Sequence, residues 1–247
     1  MPRRYDIDRI LQEWPYEPGE ISARLVRASD GREVLQMRVE MGVLQLEITG
    51  RPDGLRPSGA LTYFDYLTEL AEVEGNEDLV LSPTQCAEAD REFMQYYHRR
   101  VCWLALREFR RATEDADHTL AFMDFARDHS PGEEWTLSHE QYRPFVLFHR
   151  TQAATLAVLE EKSPEAAMHE LSDGLRRFHD LFVHYDAEDQ YEEDDLVQRL
   201  YELRDTLREQ YNLKPSLSEQ LAQAVAAEQY ELAAKLRDEM TRRNKSA

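Results

Sequence analysis

Four residues between Pro164 and Tyr185 have the types and spacing to hold a divalent metal: His169, Asp173, Asp180 and His184. At about 100° per residue they fall within roughly 60° of one another on a helical wheel, so one helix would present two imidazoles and two carboxylates as a stripe. With His98 or His149 supplied by another helix, that stripe would make a metal-dependent enzyme. Two features weigh against it. No pair has the HExxH-type spacing that sets two ligands on adjacent turns. The opposite side carries Ala167, Leu171, Leu175, Phe178, Leu181 and Phe182, so the stripe is also the side a one-sided helix turns to water.

The run Asp186 to Asp195 packs seven carboxylates into ten residues. A calcium loop of the EF-hand type needs Gly at its sixth position and Glu at its twelfth, where this run has Tyr191 and Val197. It reads instead as a solvated linker, with Asp194 and Asp195 favourably placed at the start of the next helix. Phe93, Met94, Tyr96, Tyr97, Trp103, Phe109, Phe122, Met123 and Phe125 would suit a cofactor pocket, but at helical spacing such a stripe is read as core. Dinucleotide, P-loop and nucleophile-elbow glycine patterns are missing, and no nucleophile pairs with a base. Cys86 and Cys102 form no CxxC pair, which points to neither zinc nor a disulfide framework and fits a reducing compartment. No catalytic residue, cofactor or metal is therefore assigned.

The elements around these residues are mostly helical. Ile7 to Trp14 is a short amphipathic start. From Glu20 to Thr49 the period shifts to two: Ile21, Ala23 and Leu25, then Val34 to Met41, then Leu44, Leu46 and Ile48 alternate across turns at Ser29-Asp30-Gly31 and Gly42. That predicts three antiparallel strands with one apolar face in need of a cover. Arg51 to Ser58, rich in Pro and Gly, ends the sheet. Helix is expected over Leu61 to Val73, over a long stretch opened by Pro83 and Thr84 with a break near Ala112 to Asp117, and over Ser138 to Lys162, Pro164 to Tyr185 and Asp194 to Tyr211. His98-Arg99 and His149-Arg150, with breaks near Ala112 and Ser163, share one offset and suggest a repeated helical pair. The fold class is thus mainly α with a small N-terminal antiparallel β-meander, the helices forming a bundle or a short tetratricopeptide-like repeat. The chain divides into a meander segment (1–58), a helical domain (59–185), an acidic linker with a connecting helix (186–215) and a C-terminal helical hairpin (216–243).

The hairpin is the most informative segment. After Pro215, Ser216 with Glu219 reads as a capping box. Leu217, Leu221, Ala224 and Val225 make one apolar stripe, and a turn around Ala227 to Gln229 leads to Tyr230, Ala233, Ala234, Leu236 and Met240. The small Ala233 and Ala234 permit close helix approach, and Arg242 and Arg243 suit the last-turn carbonyls. Two short helices bury little alone, so leftover apolar surface is expected to seek a partner. The letters LAQAVAAEQYELAAKLRDEM resemble the UVR motif of the excision-repair proteins UvrB and UvrC and of some protease regulators and Clp chaperones. The matches fall at Leu221, Ala224, Val225, Glu228, Tyr230, Glu231, Ala233, Ala234, Leu236, Arg237, Asp238 and Met240. The resemblance implies hairpin-to-hairpin association in a four-helix arrangement, with a UVR-bearing partner (UvrB, UvrC or a Clp-type chaperone) or with a second copy as a homodimer. With Leu217 added, these residues other than Glu231 are the expected partner-binding set. Arg237 and Asp238 would serve as an exposed or interhelical ion pair, or contact the partner. The Walker A loop of UvrB, a UvrC nuclease motif and the CxxC motifs of McsA-like regulators are all missing, so repair activity does not carry over.

A net charge of −19 repels phosphate backbones at long range. Nucleic-acid binding is disfavoured, although basic residues gather at both tips and a DNA-contacting repair accessory is a rival reading. No apolar run has the length of a signal peptide or membrane span. The expectation is a cytoplasmic, non-enzymatic adaptor.

Overall fold

The computed structural model of the protein describes residues 6–75, 79–215 and 217–244. The chain separates into two compact units, Met1–Leu200 and Tyr201–Ala247.

In the first unit, α1 (Asp8–Glu13) precedes a sheet of β1 (Ala23–Arg27), β2 (Glu33–Val39) and β3 (Gly42–Glu47) in the order β1-β2-β3. Both pairings are antiparallel, and the register sets Leu25, Leu35 and Leu46 side by side, next to Ala23, Met37 and Leu44. This is the predicted meander. Its apolar face is covered by Cys102, Trp103, Ala112 and Ala153 from the helices that follow. The opposite face is less polar than strict alternation implies. Val34 is fully buried there, and Arg38 is buried because its Nε donates to Trp14 O at 2.7 Å and Nη1 to Gly42 O at 3.0 Å.

The helices of this unit are α2 (Tyr63–Glu74), α3 (Pro83–Ala105), α4 (Phe109–Asp128), α5 (Glu133–Glu140), α6 (Arg143–Glu161) and α7 (Pro164–His184); the boundary of the unit falls inside α8 (Asp195–Tyr211). In order, α3 packs on α4, α4 on α6 and α6 on α7. Arginines bind neighbours together: Arg99 of α3 grips Asp115 of α4 at 2.7 and 2.9 Å, and Arg150 of α6 reaches Asp117 of α4 at 3.0 Å and also Glu170 of α7. Arg99 further donates to Glu47 O and Gly50 O, at 3.0 and 2.7 Å, which anchors the end of the sheet to α3. Glu92, fully buried on α3, accepts from Tyr63 N at 2.6 Å and Phe64 N at 3.1 Å and so satisfies the first turn of α2 beside the Thr62 cap.

Three boundaries differ from those expected. The long helical stretch breaks at Leu106 to Glu108, not at Ala112 to Asp117, which is helix with Ala112, Asp115 and Ala116 buried. His98 and Arg99 lie inside α3 and His149 and Arg150 inside α6, so they start no helix. Ser138 to Lys162 is two helices, because Pro144 suits the first turn of α6 and would clash in the interior of one longer helix. The acidic run is also more than a linker. Glu188–Glu193 forms a 3-10 turn whose Tyr191 is buried edge-on to His179 and Phe182, its hydroxyl donating to Leu175 O at 3.2 Å. The carboxylates of this turn stay exposed, and Asp194 caps α8 by accepting from Leu196 N and Val197 N.

The second unit holds the rest of α8, then α9 (Leu217–Ala226) and α10 (Tyr230–Asn244), which pack against each other as the expected hairpin.

Candidate functional site

The hairpin is built around a narrow seam. Ala224, Ala233 and Leu236 are buried, with Leu217 and Leu221 partly buried against them. Two of the three buried side chains are methyl groups, which is what lets the helix backbones close on each other. At Glu228 the backbone turns left-handed, φ 58°. Gln229 N then donates to Ala224 O at 2.8 Å and Glu228 N to Val225 O at 3.0 Å, the paired bonds of a Schellman motif that ends α9. The capping box expected at the start of α9 lies outside the described residues, since Ser216 and the Glu219 side chain are not described.

The expected partner-binding residues separate into two groups. Ala224, Ala233 and Leu236 fill the hairpin's own seam, flanked by Leu217, Leu221 and Met240, which are half-buried. Val225 (52% exposed), Tyr230 (69% exposed), Ala234, Glu228, Arg237 and Asp238 face solvent. Leu232, which the sequence reading left out, is 45% exposed on the same short helix and adds to the apolar outside. Its position off the main stripe was the available signal: a Leu that the interhelical seam has no room for. Arg237 and Asp238 pair with each other at 3.4 Å, neighbours on one exposed helix face, and so make no interhelical bridge. Arg242 donates to Asp238 O, a carbonyl inside α10 and not one of its last turn.

Residues 212–244 match the family model described as the UvrB/uvrC motif. No curated protein and no solved structure matches the chain. The UVR motif is a protein-interaction module, and the match encloses all of α9 and α10. The remainder of the chain, including the whole first unit, lies outside it.

The other candidates have been placed by the fold. His169, Asp180 and His184 are exposed on α7, Asp173 pairs with Arg176 at 2.9 Å, and the His184 ring lies against Tyr185. Among the described residues no three His, Cys, Asp or Glu side chains gather as a metal site. The aromatic and Met group is split: Tyr96, Trp103, Phe109, Phe122 and Met123 are buried, while Met94 is 56% exposed. No described helix is long and apolar enough to cross a membrane.

Proposed function

We propose that the protein is a non-enzymatic adaptor whose UVR hairpin docks on another UVR-type hairpin, either on a partner protein of the UvrB, UvrC or Clp kind or on a second copy. The observation that carries this reading is the coincidence of the motif match with the α9–α10 hairpin of the second unit, which leaves Val225, Tyr230 and Leu232 exposed. A four-helix arrangement would cover those side chains, each worth about 1.5–3 kcal/mol when fully removed from water. The small seam gives the isolated hairpin little stability of its own, which is a further reason for it to pair.

The test is a triple substitution in the full chain, Val225→Asp, Tyr230→Asp and Leu232→Asp, compared with the wild type by concentration-dependent light scattering and by titration with isolated UVR segments of UvrB, UvrC and a Clp chaperone. Association is expected for the wild type and a loss of at least 10-fold for the variant, with helicity kept. Equal behaviour of the two chains would remove docking through these exposed side chains.

A further inference from the structure

Helices α3, α4, α5 and α6 enclose a cavity of about 650 Å³, within the roughly 300–1,000 Å³ of small-ligand sites. Phe93, Met94, Met123, Phe145 and Val146 give it an apolar wall, and Arg100 and Thr119 line its buried end, 2% and 4% exposed respectively. Arg100 is unlike the other buried arginines described above. Arg51 faces Glu88 at 2.9 Å and Arg99 faces Asp115 at 2.7 Å, and Arg38 donates to backbone carbonyls of its own sheet region, whereas Arg100 lines a cavity and among the described residues no carboxylate lies within ion-pair range of it. Its Nη1 donates to Thr119 Oγ1 at 3.0 Å and its Nε to His149 Nδ1 at 3.3 Å, both neutral acceptors. Two of five N–H groups are thereby used; the second on Nη1 and both on Nη2 have no partner among the described residues.

A buried cation with no directly paired carboxylate is costly: removing solvent holds the Arg100 pKa down at about 10, the charge of Asp115 offsetting this only in part, so the guanidinium remains charged at neutral pH. The Asp90 carboxylate at the same cavity does not neutralise it, because Asp90 is turned to Trp135 Nε1 at 3.0 Å and His139 Nε2 at 2.9 Å. The mouth, at Met94 and Tyr142, is open to solvent, with 56% and 60% exposure.

We propose that this cavity binds a small amphipathic carboxylate, its acid group on the Nη1–Nη2 edge of Arg100 and its apolar body along the Phe93–Phe145 wall. A carboxylate is the ligand a guanidinium edge accepts bidentately, and a pocket of this volume among four helices takes a small molecule and not a polypeptide segment. Neither feature involves the hairpin, so this site and the docking reading succeed or fail separately.

Decanoate and its uncharged analogue decanol are suitable probes for calorimetric titration of the full chain. Decanoate is expected to bind saturably and at least 10-fold more tightly than decanol, and Arg100→Met to remove that preference while leaving decanol unchanged. As a guard against misfolding of the variant, nitrogen-15 spectra of the wild type should show the Arg100 Nε–H resonance moving with decanoate and not with decanol. Equal affinity for acid and alcohol, no saturation with decanoate, or an unmoved Arg100 resonance at saturation would each overturn the proposal.

Discussion

At the residue scale, the most consequential side chains are buried polar ones whose partners come from distant parts of the chain. His149 is 8% exposed and faces Arg100, and burial first and that cation second lower its pKa to about 4. An unfolded His titrates near 6.5, so the folded state resists a proton that the unfolded state accepts. Stability is present above pH 6.5 and is lost as the pH falls from 6.5 towards 4, by about 3 kcal/mol at the low end. Thermal unfolding of His149→Gln at pH 7, 5.5 and 4.5 is expected to show a weaker pH dependence than the wild type. Parallel profiles would mean His149 is not the titrating group. None of this is visible along the chain. His149 could be named as a possible ligand, but the Arg100 that faces it and the Glu92 that caps α2 acquire their roles only when α3 meets α6 and α2. The exposed stripe of His169 and Asp180 was legible as a pattern, and the same pattern serves a helix that shows its polar side to water.

At the scale of elements, periodicity located the strands and most helices because each has one apolar side. It placed the end of α3 several residues late for a physical reason. Arg107, Asp186, Asn212 and Glu228 all take positive φ, between 51° and 61°, and each follows a helix end. Around Arg107 the bonds Glu108 N to Trp103 O and Arg107 N to Leu104 O repeat the termination seen at Glu228. Glycine is the usual mark of such an end; the stops at Asp186, Asn212 and Glu228 were still legible from a neighbouring acidic run, a proline or a lapse in the apolar stripe, whereas the one at Arg107 has none of these beside it. Side chains in this conformation are strained, and Arg107→Gly and Glu228→Gly are each expected to stabilise the protein by about 0.5–1 kcal/mol. Chemical denaturation of the first and residue-resolved amide exchange of the second measure this; a loss of stability in both would contradict the strain account. Gly174 behaves in the opposite way. It sits inside α7, where a Cβ would overlap Thr151 Cγ2 and Oγ1 of α6. Gly174→Ala therefore gains about 1 kcal/mol of helix propensity but overpacks the crossing, for a net loss of roughly 1–2 kcal/mol. Adding Thr151→Ala should recover it, since that also removes a buried hydroxyl that has no hydrogen-bond partner among the described residues. No recovery in the double variant would mean that the two helices are not held at this contact.

At the scale of the whole molecule, the two units differ in the cores they possess. The first has an apolar sheet face over Cys102 and Trp103 and a second cluster around Leu67, Leu81 and Phe122, whereas the hairpin buries Ala224, Ala233 and Leu236. Amide exchange across α9 and α10 is expected to run at least 100-fold faster than in α3 and α6, and to slow when a docking partner is added. Uniform protection across both units would contradict it. The hairpin was readable in sequence because a motif of such short reach has to write its seam locally; the cavity and ion pairs of the first unit were not, because they join segments tens of residues apart. Its two thiols offer a way to watch it open. Cys86 sits under α2 and Cys102 under the sheet, both buried, with burial raising both thiols and Cys102 to about 12. Neither can react as a thiolate until its surroundings part, so the rate of alkylation at each sulfur would clock the breathing of its own core and tell whether the two cores part together or one at a time.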